Sequence, residues 1–243
     1  MRRISIITIS LIVATLFTIN AFWLQLHGTT TIDIINRLPI LFAPANYVYY
    51  IWFPVFIFLF LWVKNYLPLR QSDQFITFVQ TVLFLCTLSF QITYLLCWHS
   101  EQLIAASVLL ILQLISVSAL YLTYPLKKEL FKLRLPISIY FSWTTFLFIL
   151  YIWYILIDNG WQGFGLSNAL WAVIIMTFGT AVALHLRFHH FDIAFPMVFI
   201  WCYIGIAFAN GFGELLVTTA ALFLSGVMVV GILFMKKNPV HLK

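Results

Sequence analysis

Eight apolar stretches, each about as long as a hydrocarbon core is thick, constrain this chain more than any motif. They cover residues 4–23, 47–66, 75–98, 102–124, 136–157, 166–186, 193–209 and 215–235. A helix needs about 20 mostly apolar residues to cross a bilayer. Every break between the stretches holds charge, proline, glycine or asparagine. Charged residues make up only 8% of the 243 residues and hydrophobic ones 63%, against about 25% charged in a soluble domain. Too little polar surface exists to cover a water-soluble globule of this size. The expected fold is therefore all-α: a polytopic membrane helix bundle of about eight transmembrane helices. The first stretch is read as a span, because no A-x-A-like cleavage site follows it.

Lysine and arginine fix an expected orientation. With the N-terminus in the cytoplasm, the inner segments collect Arg2, Arg3, Lys64, Arg70, Lys127, Lys128, Lys132, Arg134, Arg187, Lys236, Lys237 and Lys243. The outer segments collect only Arg37. That asymmetry places both termini in the cytoplasm. It also explains the net charge of +6 by topology and contact with anionic lipid, so no nucleic-acid partner is expected. The longest loops, 24–46 and 125–135, are too short to fold alone, which leaves no room for a catalytic or ATPase domain. Ser100 and Glu101, in the tight turn after His99, suit the start of the fourth span.

Catalytic and ion-coupling chemistry lacks residues. Asp33, Asp73, Glu101, Glu129, Asp158, Asp192 and Glu214 all lie at or beyond span ends, whereas functional ionisable groups belong inside them. The histidines His27, His99, His185, His189, His190 and His241 offer no axial pair for haem between facing spans. Cys86, Cys97 and Cys202 have neither zinc nor disulfide spacing. Ser138, Ser142 and Ser167 have no nearby base. An enzyme is not expected, and neither a metal site nor a resident cofactor is.

Aromatic residues remain, at 19% of the chain. The segment FAPANYVYYIW (42–52) enters the second span, where Tyr49, Trp52, Phe53, Phe56 and Phe60 repeat with helical period and form one stripe. Tyr47, Tyr49 and Tyr50 suit the outer interface. Trp143 and Trp201 lie within spans, away from the interface belt. Uncharged polar residues recur in the spans: Asn20, Gln80, Gln91, Thr93, Gln113, Ser116, Thr144, Thr145, Asn168 and Thr177. Interhelical hydrogen bonds are their expected role. The last span carries small residues, Ala221, Ser225, Gly226 and Gly231, suited to close packing within the chain, with a second copy or with a membrane partner.

PANYVYYIW (44–52) resembles the proline–aromatic–tryptophan entry to the second helix of the translocator protein family, which includes the bacterial tryptophan-rich sensory proteins and the peripheral benzodiazepine receptor. The longer, tryptophan-rich branch carries a PAGYTFSIW-like stretch there. Its fifth span opens with a motif similar to LPISIYFSW (135–143), and its later spans resemble NALWAVII (168–175) and DIAFPMVFIWCYIGIAFAN (192–210). The resemblance implies a five-helix bundle over 1–158 followed by three additional membrane helices over 159–243. It also implies a ligand pocket to which Tyr140 and Trp143 contribute. Leu147 and Tyr151 stand where the short family usually has alanine and asparagine, and Asn46 replaces the glycine of PAGY.

Together these readings give an expected non-enzymatic receptor or carrier for a hydrophobic planar ligand, tetrapyrrole- or sterol-like, with porphyrin or haem as the ligand the resemblance implies. The expected ligand-binding residues are Pro44, Tyr47, Tyr49, Trp52, Phe56, Tyr140 and Trp143. Two other readings stay open: a permease subunit or small-metabolite transporter, and a membrane assembly or sensor partner acting through helix contacts. The expected setting is a bacterial cytoplasmic membrane.

Overall fold

The computed structural model describes residues 2–69, 75–124 and 131–235. Arg70, Lys127, Lys128, Lys236, Lys237 and Lys243 of the charge pattern lie outside them, as do Asp73, Glu129 and His241. Among the described residues every regular element is helical. Seven helical segments are long and apolar enough to cross a membrane, with the 3-10 turn and α-helix over Asn46–Tyr66 taken as one, and an eighth apolar helix, Ala194–Asn210, is shorter at 17 residues. The protein is an integral, multi-pass helical membrane protein.

The chain divides into two compact units. The first comprises Met1–Leu38 and Tyr49–Ile155; the second comprises Pro39–Val48 and Leu156–Lys243.

The first unit holds α1 (Arg2–Trp23), the short α2 (Thr31–Ile35), α3 (Trp52–Tyr66), α4 (Phe78–His99), α5 (Leu103–Leu122) and most of α6 (Phe131–Asp158). α4 packs along α5 on one side and α1 on the other. Helix ends follow local chemistry. Thr77 and Gln80 form a capping box, so α4 starts at Phe78 and not at residue 75. Ser100 caps the C-terminus of α4, and Glu101 adopts a left-handed φ of 58°. These two residues close α4 and do not open α5, a correction to the sequence reading. Glu101 then pairs with Arg37 at 3.2 Å.

α6 is longer than the apolar stretch beginning at Pro136 and carries that proline inside it. Proline has no N–H and cannot bond the carbonyl four residues back. That carbonyl belongs to Lys132, and Asn65 of α3 donates to it at 3.5 Å.

The second unit holds α7 (Asn168–His190), α8 (Ala194–Asn210) and α9 (Leu215–Phe234), with α9 packed on both others. The segment Pro39–Val48 lies along the C-terminal half of α8. Ala45 N–H donates to the Gly205 carbonyl at 3.0 Å, Asn210 Nδ2 to the Leu41 carbonyl at 2.9 Å, and Trp201 Nε1 to the Val48 carbonyl at 3.3 Å. Gly205 permits this approach: a Cβ there would run into Val48 and stand 3.2 Å from Pro44 Cβ. Arg187, near the end of α7, donates to the Ile232 carbonyl at 2.8 Å and so caps the last turn of α9.

Candidate functional site

The entry to α3 decides which aromatic rings face inward. Residues Asn46–Ile51 form a 3-10 turn before the α-helix begins at Trp52. At three residues per turn, Tyr49 and Trp52 fall on one face. The α-helical period then continues that face through Val55, Phe56, Leu59, Trp62, Val63 and Tyr66, all buried. Phe53 and Phe60, assigned to the stripe by α-period alone, fall to its edge. Phe53 is exposed and lies 5.1 Å from the Trp23 ring.

α6 supplies the facing wall. Tyr140, Trp143, Leu147, Tyr151 and Tyr154 recur every three or four residues and are all buried. The Trp52 ring meets Trp143 edge-on at 5.9 Å, Tyr140 at 6.4 Å and Phe56 in a stack at 5.3 Å. Tyr49 meets Trp143 edge-on at 6.2 Å, and Phe22 of α1 closes on Tyr49 and Trp52 at 5.7 and 5.8 Å. These separations are the preferred range for aromatic pairs. Toward the other end of α6, Tyr151 stacks on Trp98 of α4 at 4.2 Å, with Tyr94 and Tyr154 edge-on around them.

Of the expected ligand-binding residues, Tyr49, Trp52, Phe56, Tyr140 and Trp143 meet in this cluster of the first unit. Pro44 and Tyr47 belong to the second unit. There Pro44 is buried beside Gly205, and Tyr47 lies edge-on to Trp201 at 5.4 Å and Phe208 at 6.0 Å.

A chain of hydrogen bonds crosses the middle of the same unit. Thr18 of α1 accepts from Gln91 Nε2 of α4 at 2.6 Å. Tyr140 of α6 donates its hydroxyl hydrogen to Gln91 Oε1, and accepts from Gln113 Nε2 of α5 at 3.0 Å. All four side chains are buried, so four helices are tied at depths where water cannot compete. The polar pattern of the spans pointed to Gln91 and Gln113, whereas Thr18 and Phe22 carried no signal beyond helical period.

Around Tyr140, four buried polar atoms have no hydrogen-bond partner: Trp52 Nε1, Trp143 Nε1, Gln113 Oε1 and Thr144 Oγ1. Such groups are rare and each asks for a reason. Thr144 is the most telling, because a helical threonine can always return its hydroxyl to the carbonyl four residues back. Thr145 does so at 2.8 Å, as do Thr8, Thr15, Thr18 and Thr180. Thr144, one turn beyond Tyr140 and only 1% exposed, turns its hydroxyl elsewhere. Two indole donors, an amide acceptor and a hydroxyl therefore stand unused within an aromatic cluster.

At the far end of α4, His99 is a fastening. Its Nδ1 lies 3.0 Å from the Leu26 carbonyl oxygen, which only accepts, so Nδ1 carries a hydrogen. Its Nε2 lies 2.9 Å from Thr31 Oγ1, which reaches the Ala21 carbonyl at 3.1 Å. Among the described residues no group of three or more His, Cys, Asp or Glu side chains is placed to hold a metal ion.

A family model described as TSPO-like protein matches residues 4–234. No curated protein and no solved structure matches the chain.

Proposed function

Because this chain belongs to the TSPO-like protein family, we propose that it is a non-enzymatic membrane receptor or carrier for a hydrophobic, planar ligand, tetrapyrrole- or sterol-like, taken up in the aromatic cluster of the first unit. The observation that carries this reading is the set of unused polar atoms around Tyr140. Stacking and apolar burial against Trp52, Phe56, Trp143 and Tyr49 supply affinity, and a few placed polar groups supply orientation, as in most small-molecule sites. The indole N–H groups of Trp52 and Trp143 suit a carboxylate or carbonyl oxygen. Gln113 Oε1 and Thr144 Oγ1 suit a pyrrole N–H or a hydroxyl. Each such group left buried and unpaired costs about 1–3 kcal/mol, and a ligand that pairs them recovers that cost. The rings already touch one another, so the ligand enters by parting them, selecting an open conformer. Both termini then face the cytoplasm of a bacterial cell, in keeping with the lysine and arginine distribution.

The test is a fluorescence titration of the detergent-purified full chain with protoporphyrin IX, alongside Trp52→Phe, Trp143→Phe and Thr144→Val. Saturable quenching is expected, with about tenfold weaker affinity for Trp143→Phe, the equivalent of about 1.4 kcal/mol. Quenching no stronger than in an unrelated eight-span protein rejects the tetrapyrrole reading. Affinity unchanged in all three variants rejects the site.

A further inference from the structure

The sequence Gly-Phe-Gly occurs twice, at residues 163–165 and 211–213, and both copies lie in the second unit. The first precedes α7 and the second follows α8. α7 and α8 are antiparallel neighbours joined by a short turn, so the two copies emerge at the same end of that unit. In both, the phenylalanine stands almost free of the protein: Phe164 is 85% exposed and Phe212 94%.

Neither turn is loose. Trp171 Nε1 donates to the Gly163 carbonyl at 2.8 Å, and the ring of Trp161 lies 5.6 Å from Phe164 and 5.0 Å from Trp171. Phe164 itself holds a left-handed φ of 51°, a conformation bulky residues avoid. At the second turn, Gly211 N–H donates to the Ala207 carbonyl at 2.9 Å and Gly213 N–H to the Asn210 carbonyl at 3.0 Å. The Gly211 carbonyl accepts from Thr218 Oγ1 at 2.7 Å. Asn210 spends its side-chain amide on the Ile206 and Leu41 carbonyls, both at 2.9 Å. Each turn thus pairs several of its own polar groups, which a segment at the edge of hydrocarbon needs more than one in water does.

Length points the same way. α8 has 17 residues, about 26 Å at ~1.5 Å per residue, against a hydrocarbon core of about 30 Å. His189 and His190, at the end of α7, mark the polar boundary at the first end of α8, with Arg187 and Asp192 buried beside them. Its last residue, Asn210, then falls short of the opposite boundary. Phe208, Leu215 and Leu216, all exposed, flank Phe212 on α8 and α9, with the half-buried Glu214 between Phe212 and Leu215.

We infer that the two Gly-Phe-Gly turns are lipid-immersed wedges. They hold Phe164 and Phe212 in the headgroup–acyl boundary of the leaflet at that end of the second unit, with phospholipid acyl chains as the partner that covers them. The wedges fix the depth of a helix too short to span unaided and thin the bilayer beside it.

The test uses full-length protein in phosphatidylcholine–phosphatidylglycerol vesicles. Phe164→Cys and Phe212→Cys, each with Cys86, Cys97 and Cys202 replaced by alanine, carry a nitroxide spin label. Both labelled positions face outward, so the label itself leaves the core intact; Cys202 is buried, and the cysteine-free parent chain is the reference for its replacement. Collision with oxygen is expected to exceed collision with a water-soluble nickel chelate several-fold at both positions. The reverse ratio places the turns in water and overturns the inference. Low collision with both reagents means that protein covers them, a second copy or another chain, and overturns it equally.

Discussion

Tyr140 on α6 accepts a hydrogen bond from the side-chain amide of Gln113 on α5 at 3.0 Å, while its own hydrogen goes to Gln91 on α4. One hydroxyl thus bonds to two buried side-chain amides. Removing it in Tyr140→Phe strands Gln91 Oε1 and Gln113 Nε2 together. A loss of roughly 1–3 kcal/mol is expected, read as the shift in an SDS-unfolding midpoint in mixed micelles. Gln113→Met deletes the amide along with its unused oxygen, and should cost clearly less. No measurable cost for Tyr140→Phe would show that Tyr140 acts there through its ring alone.

Asn65 and Pro136 make a second linked pair. The proline withholds an N–H from the Lys132 carbonyl, and Asn65 Nδ2 approaches that carbonyl at 3.5 Å. Asn65→Leu is expected to cost about 0.5–1 kcal/mol in the native chain and nothing once Pro136→Ala has restored the backbone bond. A thermal-melting double-mutant cycle measures the coupling. Additive effects would mean that Asn65 does not stand in for the missing N–H.

The membrane architecture was legible because length and hydropathy alone decide what crosses a bilayer. The inner aromatic face was legible in part. Trp52 and Phe56 follow from helical period, but Phe53 and Phe60 were misassigned because the 3-10 turn at Asn46–Ile51 shifts the phase. The placement of Pro44 and Tyr47 against α8 could not be read. It rests on Gly205 being small enough to admit Val48 across a long stretch of chain, and a lone glycine in an apolar run names no partner. The unused atoms of Trp52, Trp143, Gln113 and Thr144 were equally hidden. Composition reveals that a threonine is present, not which way its hydroxyl turns.

Asp33 predicts an acid-sensitive fastening outside the spans. Its carboxylate accepts from the Thr30 hydroxyl at 2.7 Å and the Thr30 N–H at 3.0 Å. These bonds, with a smaller contribution from the Arg37 charge, hold its pKa below the ordinary carboxylate value. A depressed folded-state pKa contributes stability above the unfolded value, about 4, and loses it as pH falls through the folded value. The protection of α2 amides, corrected for the intrinsic pH dependence of exchange, should therefore stay high at neutral pH and fall only below that window. Thr30→Ala should raise the Asp33 pKa toward its ordinary value and speed exchange already at neutral pH. Exchange in α2 that ignores both acid and Thr30→Ala would remove the capping box from the account.

The contact between Gly205 and Val48 yields the sharpest packing test. A methyl group at Gly205 has no room: Val48 lies in its path, and Pro44 Cβ would be 3.2 Å away. Gly205→Ala must therefore push Pro39–Val48 off α8 or strain the helix, for about 1–3 kcal/mol. The same displacement would lengthen the Ala45 N–H bond to the Gly205 carbonyl, now 3.0 Å, and expose the Val48 carbonyl that takes the Trp201 indole hydrogen. Val48→Ala in the same chain frees the space and should restore most of the stability. Gly226→Ala provides the contrast, because a Cβ there meets nothing within 4 Å; replacing a mid-helix glycine there should gain about 0.5–1 kcal/mol. Melting temperatures that fall alike for Gly205→Ala and Gly226→Ala, with no rescue by Val48→Ala, would show that the segment is held to α8 by something other than this close approach.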